Sequence, residues 1–212
     1  MLERAIMAVL AGLCAGCATT PAPVASADGG SVGQTVAADD PVVRTVQTIE
    51  TIGALEAEGA IAAADYLDGV RALRSAGARQ SEDAPDEAAS LETRWLAAAR
   101  ALDPSANIPP MRGRVLGPSY QRGTVAAGSA KVTTQLYLAG KKAKVALAGQ
   151  GPAAARSGLR LEIRQSDGKP VCLRPSGSGK TGCEWIPLFS GRYEITVANS
   201  GSQPVQFTLV SN

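Results

Sequence analysis

The segment "RYEITVANSGSQPVQFTLV", residues 192–210, carries a clear secondary-structure signal. Apolar side chains occupy every second position in its two runs, as Tyr193, Ile195, Val197, Val205, Phe207 and Leu209. A period of two gives a β-strand one apolar face, whereas an amphipathic helix repeats its apolar residues every three or four positions. The segment therefore predicts two strands, each with one face buried in a core.

Earlier segments of the C-terminal part show the same alternation and predict strands at residues 132–138, 143–148 and 159–165. The dipeptide Asp167-Gly168 is a hairpin turn signal that leads into Val171. About seven short strands with one-sided alternation predict an antiparallel β-sandwich over residues 123–212. We predict that one sandwich core contains Leu161, Ile163, Trp185, Tyr193, Ile195, Val197, Phe207 and Leu209.

Residues 41–103 have a helical pattern, with apolar residues at three- or four-residue steps. Asp40 and Pro41 form a favourable helix start, because aspartate caps free N–H groups and proline fits the first turn. Gly53 and Gly59 weaken the middle of the first segment, so that it is compatible with one helix or two. A further helix is predicted over residues 86–102.

In this last helix Trp95 is expected to anchor a core. Residues 104–122 are rich in proline and glycine and predict a linker. The predicted fold class is α+β, with an N-terminal helical segment followed by a C-terminal antiparallel β-sandwich.

The N-terminus has the features of an export signal. A short apolar segment, Ala5–Leu13, suits a signal peptide rather than a transmembrane helix. Residues 15–17, Ala-Gly-Cys, resemble the bacterial lipobox, which implies lipid attachment at Cys17 after removal of residues 1–16. Ordinary cleavage nearby without a lipid is the alternative. Residues 18–40 lack a hydrophobic period and predict a flexible tether.

The cysteine count agrees with export. Cys14 would be removed with the signal peptide and Cys17 would carry the lipid, which leaves Cys172 and Cys183 as one pair. An oxidising compartment would close this pair into a disulfide. We expect the two cysteines on antiparallel strands that leave one hairpin, where paired Cβ atoms approach each other closely enough for the bond.

Several chemistries are disfavoured by the sequence. The chain has no histidine, which removes Ser-His and Cys-His nucleophile pairs and imidazole metal ligands. Gly179-Lys180-Thr181 ends like a nucleotide-binding P-loop, but Arg174 stands where the motif needs its first glycine, and a strand-like run follows. We predict no catalytic residue, no metal, no cofactor and no binding of nucleotide or nucleic acid.

Charge is distributed unevenly along the chain. Residues 28–92 carry 13 acidic and 4 basic side chains, a balance of −9, whereas residues 93–212 carry 5 acidic and 16 basic ones, a balance of +11. Lys141, Lys142 and Lys144 form a basic turn between two predicted strands. A solvated turn is one interpretation of these lysines, and contact with an anionic partner is the other.

The C-terminal 90 residues also resemble a known family. The features that carry the resemblance are "QLYLAGKKAKVALAG", "LRLEIRQSDGKPVC" and the run "W-x-P-x-x-S-G-x-Y-x-I-x-V-x-N-x-G" at residues 185–201. They are similar to the bacterial pre-peptidase C-terminal (PPC-like) β-sandwich domain. The resemblance implies a jelly-roll-like sandwich that accompanies secreted enzymes and aids binding to substrates or surfaces. It implies no catalytic residues.

Together these features predict a non-enzymatic envelope lipoprotein that serves as a binding or assembly module. Its partners would be a membrane, through the lipid anchor, and another envelope protein or a polysaccharide. Ala18 after the lipidated cysteine favours an outer-membrane protein that faces the periplasm, by resemblance to known sorting; a soluble periplasmic or secreted protein is the alternative. The rival function is a small secreted hydrolase or an accessory subunit of a secreted enzyme.

Overall fold

The computed structural model describes residues 40–82, 89–109, 116–151, 158–175 and 180–212. These residues form three helices, α1 (Pro41–Glu58), α2 (Ala63–Ala76) and α3 (Leu91–Leu102). They also form nine strands, β1 (Arg79–Gln80), β2 (Ser119–Val125), β3 (Ala130–Tyr137), β4 (Ala143–Gln150), β5 (Leu159–Gln165), β6 (Pro170–Pro175), β7 (Lys180–Trp185), β8 (Gly191–Asn199) and β9 (Val205–Ser211).

Local capping chemistry determines where the helices begin and end. The Asp40 carboxylate accepts hydrogen bonds from the backbone N–H groups of Val42 and Val43, and α1 starts there as predicted. The helix continues through Gly53 and ends at Gly59, whose left-handed φ of 65° suits a residue without a Cβ. The first helical segment is therefore two helices, and the break lies at Gly59.

The third helix begins at Leu91, later than the predicted start at residue 86. The hydroxyl of Ser90 accepts a hydrogen bond from the Thr93 backbone N–H, which makes Ser90 the N-cap. Residues 83–88 lie outside the described part of the chain. The described helices include none that is long and apolar enough to cross a membrane.

The strands divide into two sheets. Sheet A has the order β1-β2-β9-β4-β7, in which β1 pairs with β2 in parallel and all other pairs are antiparallel. Sheet B has the order β3-β8-β5-β6 and is fully antiparallel. Strands β2 to β9 are thus shared four and four between two sheets, which is a jelly-roll arrangement. The predicted α+β class with an antiparallel sandwich is confirmed.

The main core lies between the two sheets. It contains every residue of the predicted sandwich core, with Trp185 partly buried at its margin. Leu161, Ile163 and Ile195 have no exposed surface at all. The prediction holds because alternation in β5, β8 and β9 gives the face of each strand directly, whichever sheet the strand joins.

A second core joins the helices to the outer face of sheet A. Trp95 from α3 and Ile49 from α1 are buried together with Tyr120, Ala148 and Val210 from β2, β4 and β9. The Tyr120 hydroxyl accepts a hydrogen bond from the Leu91 backbone N–H. Consequently α1 to α3 and the sandwich form one compact unit over Val36–Asn212.

Strand β2 begins at Ser119 and so occupies the end of the segment that was predicted as a linker, residues 104–122. Its pairing with both β1 and β9 explains the difference. The parallel contact with β1 is formed between residues that are far apart in the sequence, and no local pattern of residues announces it.

Candidate functional site

The structure joins Cys172 and Cys183 by a disulfide, with 6.3 Å between their Cα atoms. The predicted hairpin between them is wrong, because Cys172 lies in β6 of sheet B and Cys183 lies in β7 of sheet A. The hairpin that Asp167-Gly168 predicts is present, but it connects β5 to β6. After β6 the chain crosses to the other sheet, and the disulfide links the edge strands of both sheets.

The P-loop-like stretch ends in this same region. Residues 176–179 lie outside the described part of the chain, and Lys180 and Thr181 begin β7 rather than a helix. The Lys180 ammonium Nζ lies 2.8 Å from Oε2 of Glu50 in α1. This lysine therefore attaches α1 to the edge of sheet A.

The predicted lipidation site, Cys17, lies outside the described residues, as do the predicted signal peptide and the predicted tether up to residue 39. Of the three lysines predicted to form a basic turn, Lys141 and Lys142 lie in the turn before β4. Lys144 lies within β4 and is buried against α1.

Lys144 Nζ lies 2.8 Å from Oδ2 of Asp40 and 3.5 Å from Oε2 of Glu184, and Lys142 Nζ lies 2.7 Å from Oε1 of Glu184. Lys144 is thus not part of an exposed basic turn, because internal carboxylates neutralise its buried charge, and contact of the basic turn with an anionic partner stays a prediction. Lys141 remains exposed.

The ion pairs and hydrogen bonds around Lys142 and Lys144 lower the pKa of both carboxylates, Asp40 and Glu184. Burial alone would raise the pKa of Asp40, but hydrogen bonds from Lys144, Val43 and Val42 outweigh this effect and hold the pKa below its ordinary value. The hydrogen bond from Lys142, supported by the charge of Lys144, likewise lowers the pKa of Glu184. Both groups are therefore ionised near neutral pH.

A polar cleft lies on the outer face of sheet A, where the helices do not cover it. Alternation along β2, β4 and β9 turns Arg122, Gln150 and Gln206 toward the helices, opposite the side that faces the sandwich core. One cavity of about 440 Å³ is lined by these residues together with Arg94 of α3 and Thr124.

An adjoining cavity of about 740 Å³ shares Arg122, Gln150 and Gln206 with the first, and it reaches Glu50 and Lys180 beside α1. The two cavities form one open depression, which we call the sheet A cleft. Its floor carries the polar side chains of sheet A, and its wall is the C-terminal half of α1, which contributes Glu50, Glu56 and Glu58 as well as Gly53, Ala54 and Ala57.

Hydrogen bonds between side chains fix the floor of the sheet A cleft. Arg122 Nη2 donates to Oε1 of Gln150 at 3.2 Å, and Nε2 of Gln150 donates to the buried Thr208 hydroxyl at 2.9 Å. This row crosses the three strands β2, β9 and β4 and holds a guanidinium and an amide in a defined orientation. Such groups bind hydroxyl, carbonyl and carboxylate oxygens.

Sequence reasoning did not single out the cleft residues. Arg122 fell within the predicted linker, and Gln150 and Gln206 occupy ordinary outward positions of strands. Only the sheet order brings them together, because β2 and β4 both flank β9. The available signal was that these outward positions carry amides and a guanidinium where Lys and Glu are more usual. Within the described ranges, no three Cys, Asp or Glu side chains cluster as metal ligands would.

Comparisons with known proteins give similarity at the level of fold. No protein-family profile and no curated protein sequence matches the chain. Among solved structures, the chain is similar to the pre-peptidase C-terminal domain of a collagenase from Bacillus anthracis, with 10% identity and a TM-score of 0.38 over 44% of this chain and 87% of that chain.

A mitogen from Yersinia pseudotuberculosis gives 11% identity and a TM-score of 0.37 over 45% of this chain and 85% of that one. The periplasmic inhibitor of g-type lysozyme from Aeromonas hydrophila gives 15% identity and a TM-score of 0.34 over 45% of this chain and 84% of that one. At these identities the likeness concerns the fold alone.

Proposed function

We propose that this chain is a non-enzymatic lipoprotein of the bacterial envelope and that it binds a polar partner in the sheet A cleft. A lipid on Cys17 anchors it, with the folded unit on the periplasmic side of the outer membrane. Its sandwich serves as a PPC-like binding module. Because Glu50, Glu56 and Glu58 line the cleft together with Arg122 and Lys180, the partner class that suits it best is a polysaccharide fragment rich in hydroxyl groups.

The observation that carries this proposal is the oriented row of Arg122, Gln150 and Thr208. A guanidinium and an amide that are already hydrogen bonded lose little freedom when a ligand binds, which lowers the cost of ordering them. Arg94 and Gln206 also line the cleft and add further donors. This set suits the recognition of oxygen atoms spread along a polymer.

Export is supported by the disulfide and by the Ala-Gly-Cys sequence at residues 15–17. Disulfides persist in oxidising compartments and are rare in the cytosol. Metabolic labelling with a fatty-acid analogue tests the anchor directly. We expect label on the wild type and on Cys14→Ser, and loss of label in Cys17→Ser. Equal labelling of wild type and Cys17→Ser would contradict the anchor.

Ligand capture tests the cleft. The full-length protein, bound to a resin, is incubated with envelope extract, and the retained glycans and proteins are identified by mass spectrometry. Arg122→Gln should retain roughly tenfold less of the specific ligand, because it removes a charged donor from the floor. Arg160→Gln is the matched control, since Arg160 is exposed on sheet B. Equal loss in both variants would contradict binding in the cleft.

A further inference from the structure

Two neighbouring loops expose large apolar side chains at one end of the sandwich. One loop, residues 138–142, connects β3 to β4, and the other, residues 186–190, connects β7 to β8. Their apolar side chains, with that of the last outward residue of β3, have exposed fractions of 63% for Leu136, 55% for Leu138, 61% for Ile186, 84% for Leu188 and 74% for Phe189. We call these five residues the loop-end patch.

The fold holds the two loops together. The Gly140 backbone N–H donates to the Pro187 carbonyl at 2.9 Å, and the Ala139 N–H donates to the Ser190 hydroxyl at 2.9 Å. Pro187 is itself buried, so that the apolar residues on both sides of it are turned outward. The exposure of the loop-end patch is therefore imposed by hydrogen bonds and by a buried anchor.

Positive charge borders the loop-end patch. Lys141 is exposed at the tip of the first loop, and it makes no ion pair with any residue that the structure describes. Lys142 follows it, with its ammonium exposed beside Glu184. Leucine, isoleucine and phenylalanine next to lysine form the pattern of a surface that enters the boundary between lipid tails and headgroups.

The chain enters the fold at this same end. Asp40 contacts Lys144 at the start of β4, and Glu50, further along α1, contacts Lys180, which pairs with Ala148 near the end of β4. Helix α1 therefore runs along β4 away from the loop-end patch, and its first residue lies at the end that carries the patch. Whatever is attached before residue 40 is attached on that side.

The length of the N-terminal segment is consistent with contact between this end and a membrane. Between Cys17 and Asp40 lie residues 18–39, a chain that even when fully extended could reach no further than about 75 Å. A lipid at Cys17 would thus be joined to the fold at the end that carries the loop-end patch.

We infer that the loop-end patch docks onto a phospholipid surface that carries anionic headgroups. Leu188 and Phe189 would enter the interface, and Lys141 would lie at the level of the phosphates. This inference rests on the proposed lipid anchor, and it adds an orientation: the sheet A cleft, at the far ends of β4 and β2, faces away from the membrane. The sheet A cleft would then bind its ligand from the aqueous phase.

Fluorescence quenching by lipids that carry bromine in their acyl chains tests the docking. The full-length lipidated protein is reconstituted in vesicles of phosphatidylethanolamine and phosphatidylglycerol, and tryptophan is introduced by Leu188→Trp. We expect strong quenching of the added emission, relative to the wild type with its native Trp95 and Trp185. Leu173→Trp is the matched control, because Leu173 is 56% exposed on β6, and its emission should be unaffected.

A second measurement uses the full-length Cys17→Ser chain, in which no lipid can be attached at that residue. The amount of this chain that sediments with the same vesicles should fall roughly tenfold when Leu188→Ser/Phe189→Ser is added, and about fivefold when Lys141→Gln is added. The matched control replaces two exposed apolar residues of sheet B, Val132→Ser/Leu173→Ser, and it should leave the amount of sedimented protein unchanged.

Three outcomes would overturn the docking. The first is a lipidated protein that stays in vesicles without quenching of Leu188→Trp, which leaves the anchor intact. The second is equal sedimentation of both double variants. The third is a dimer in solution that dissociates in Leu188→Ser/Phe189→Ser, which would assign the patch to a second copy of the chain. Failure of fatty-acid labelling at Cys17 would instead contradict the proposed function itself.

Discussion

Removing the Cys172–Cys183 disulfide tests how the two sheets are held together at their open edge. The bond closes a loop with a sequence separation of 11. In the chain-entropy treatment, a loop of this size corresponds to about 9.5 cal/mol/K, or about 2.8 kcal/mol at 25 °C. For a folded unit of this size, that loss lowers the melting temperature by roughly 6–11 °C.

The variant should be Cys172→Ala/Cys183→Ala. Cys183 is buried in the sandwich core, and serine there would bury a hydroxyl group as well as remove the bond. Urea unfolding separates the effect of the cross-link from that of sulfur packing when three samples are compared. These are the variant, the oxidised wild type and the wild type reduced with dithiothreitol. The oxidised and reduced wild types differ by the cross-link alone, and reduced wild type and the alanine variant differ by sulfur packing.

Hydrogen exchange shows where the stability is lost. Because β6 and β7 are edge strands of different sheets, we expect their amides to lose protection, while amides of the central strands β8 and β9 change only as global stability changes. A loss below about 0.5 kcal/mol on reduction, or uniform loss of protection across the sandwich, would refute the reasoning that the bond fastens the open edge.

Further predictions concern the two cores and the start of α1. Ile195→Ala should lower the free energy of unfolding by roughly 2–5 kcal/mol in urea titration, because its side chain is fully buried between the sheets. Gly69→Ala should lower the free energy of unfolding by about 1–3 kcal/mol, because an added Cβ would lie 3.0 Å from atoms of Ile52 and Trp95. Gly53→Ala should instead raise it by about 0.5–1 kcal/mol, because an added Cβ there meets nothing within 4 Å. Equal effects of the two changes in urea titration would contradict the packing of α2. Asp40→Asn keeps an N-cap but removes the carboxylate, and it should cost about 1–2 kcal/mol at pH 7. Because the folded-state pKa of Asp40 is lowered, this stabilisation is present above the unfolded pKa of about 3.9 and is lost as the pH falls through the folded value, so that the stabilities of wild type and variant should converge in acid.

Local sequence signals predicted the strands of the sandwich and the composition of its core. Ile195 and Phe207 could be assigned to a buried face because alternation is a property of one strand and needs no knowledge of its neighbours. The same holds for the start of α1 at Asp40, where the cap is formed within one turn of the helix. Strand alternation and the cap of α1 are set by a few adjacent residues, and these predictions are confirmed, whereas the predicted start of α3 at residue 86 and the end of the linker at residue 122 are not.

Predictions that depended on sheet order failed or could not be made. The cysteine pair was assigned to one hairpin because residues 172 and 183 are close in sequence, yet the chain changes sheets between them. The sequence places Lys144 in one basic turn with Lys141 and Lys142, whereas in the structure it lies within β4 and its partners are Asp40 and Glu184. The sheet A cleft required the positions of β2, β4 and β9 side by side, and no local pattern specifies that order.

Strand β9 joins the two halves of sheet A, and this has a consequence for when the protein can fold. Both of its neighbours, β2 and β4, precede it by many residues in the chain. Until β9 is available, sheet A consists of two separate pairs, β1–β2 and β4–β7, with no strand between them. Such distant pairings give a high contact order and slow folding. The closure of sheet A, and with it the core between the two sheets, therefore waits for the last strand of the chain.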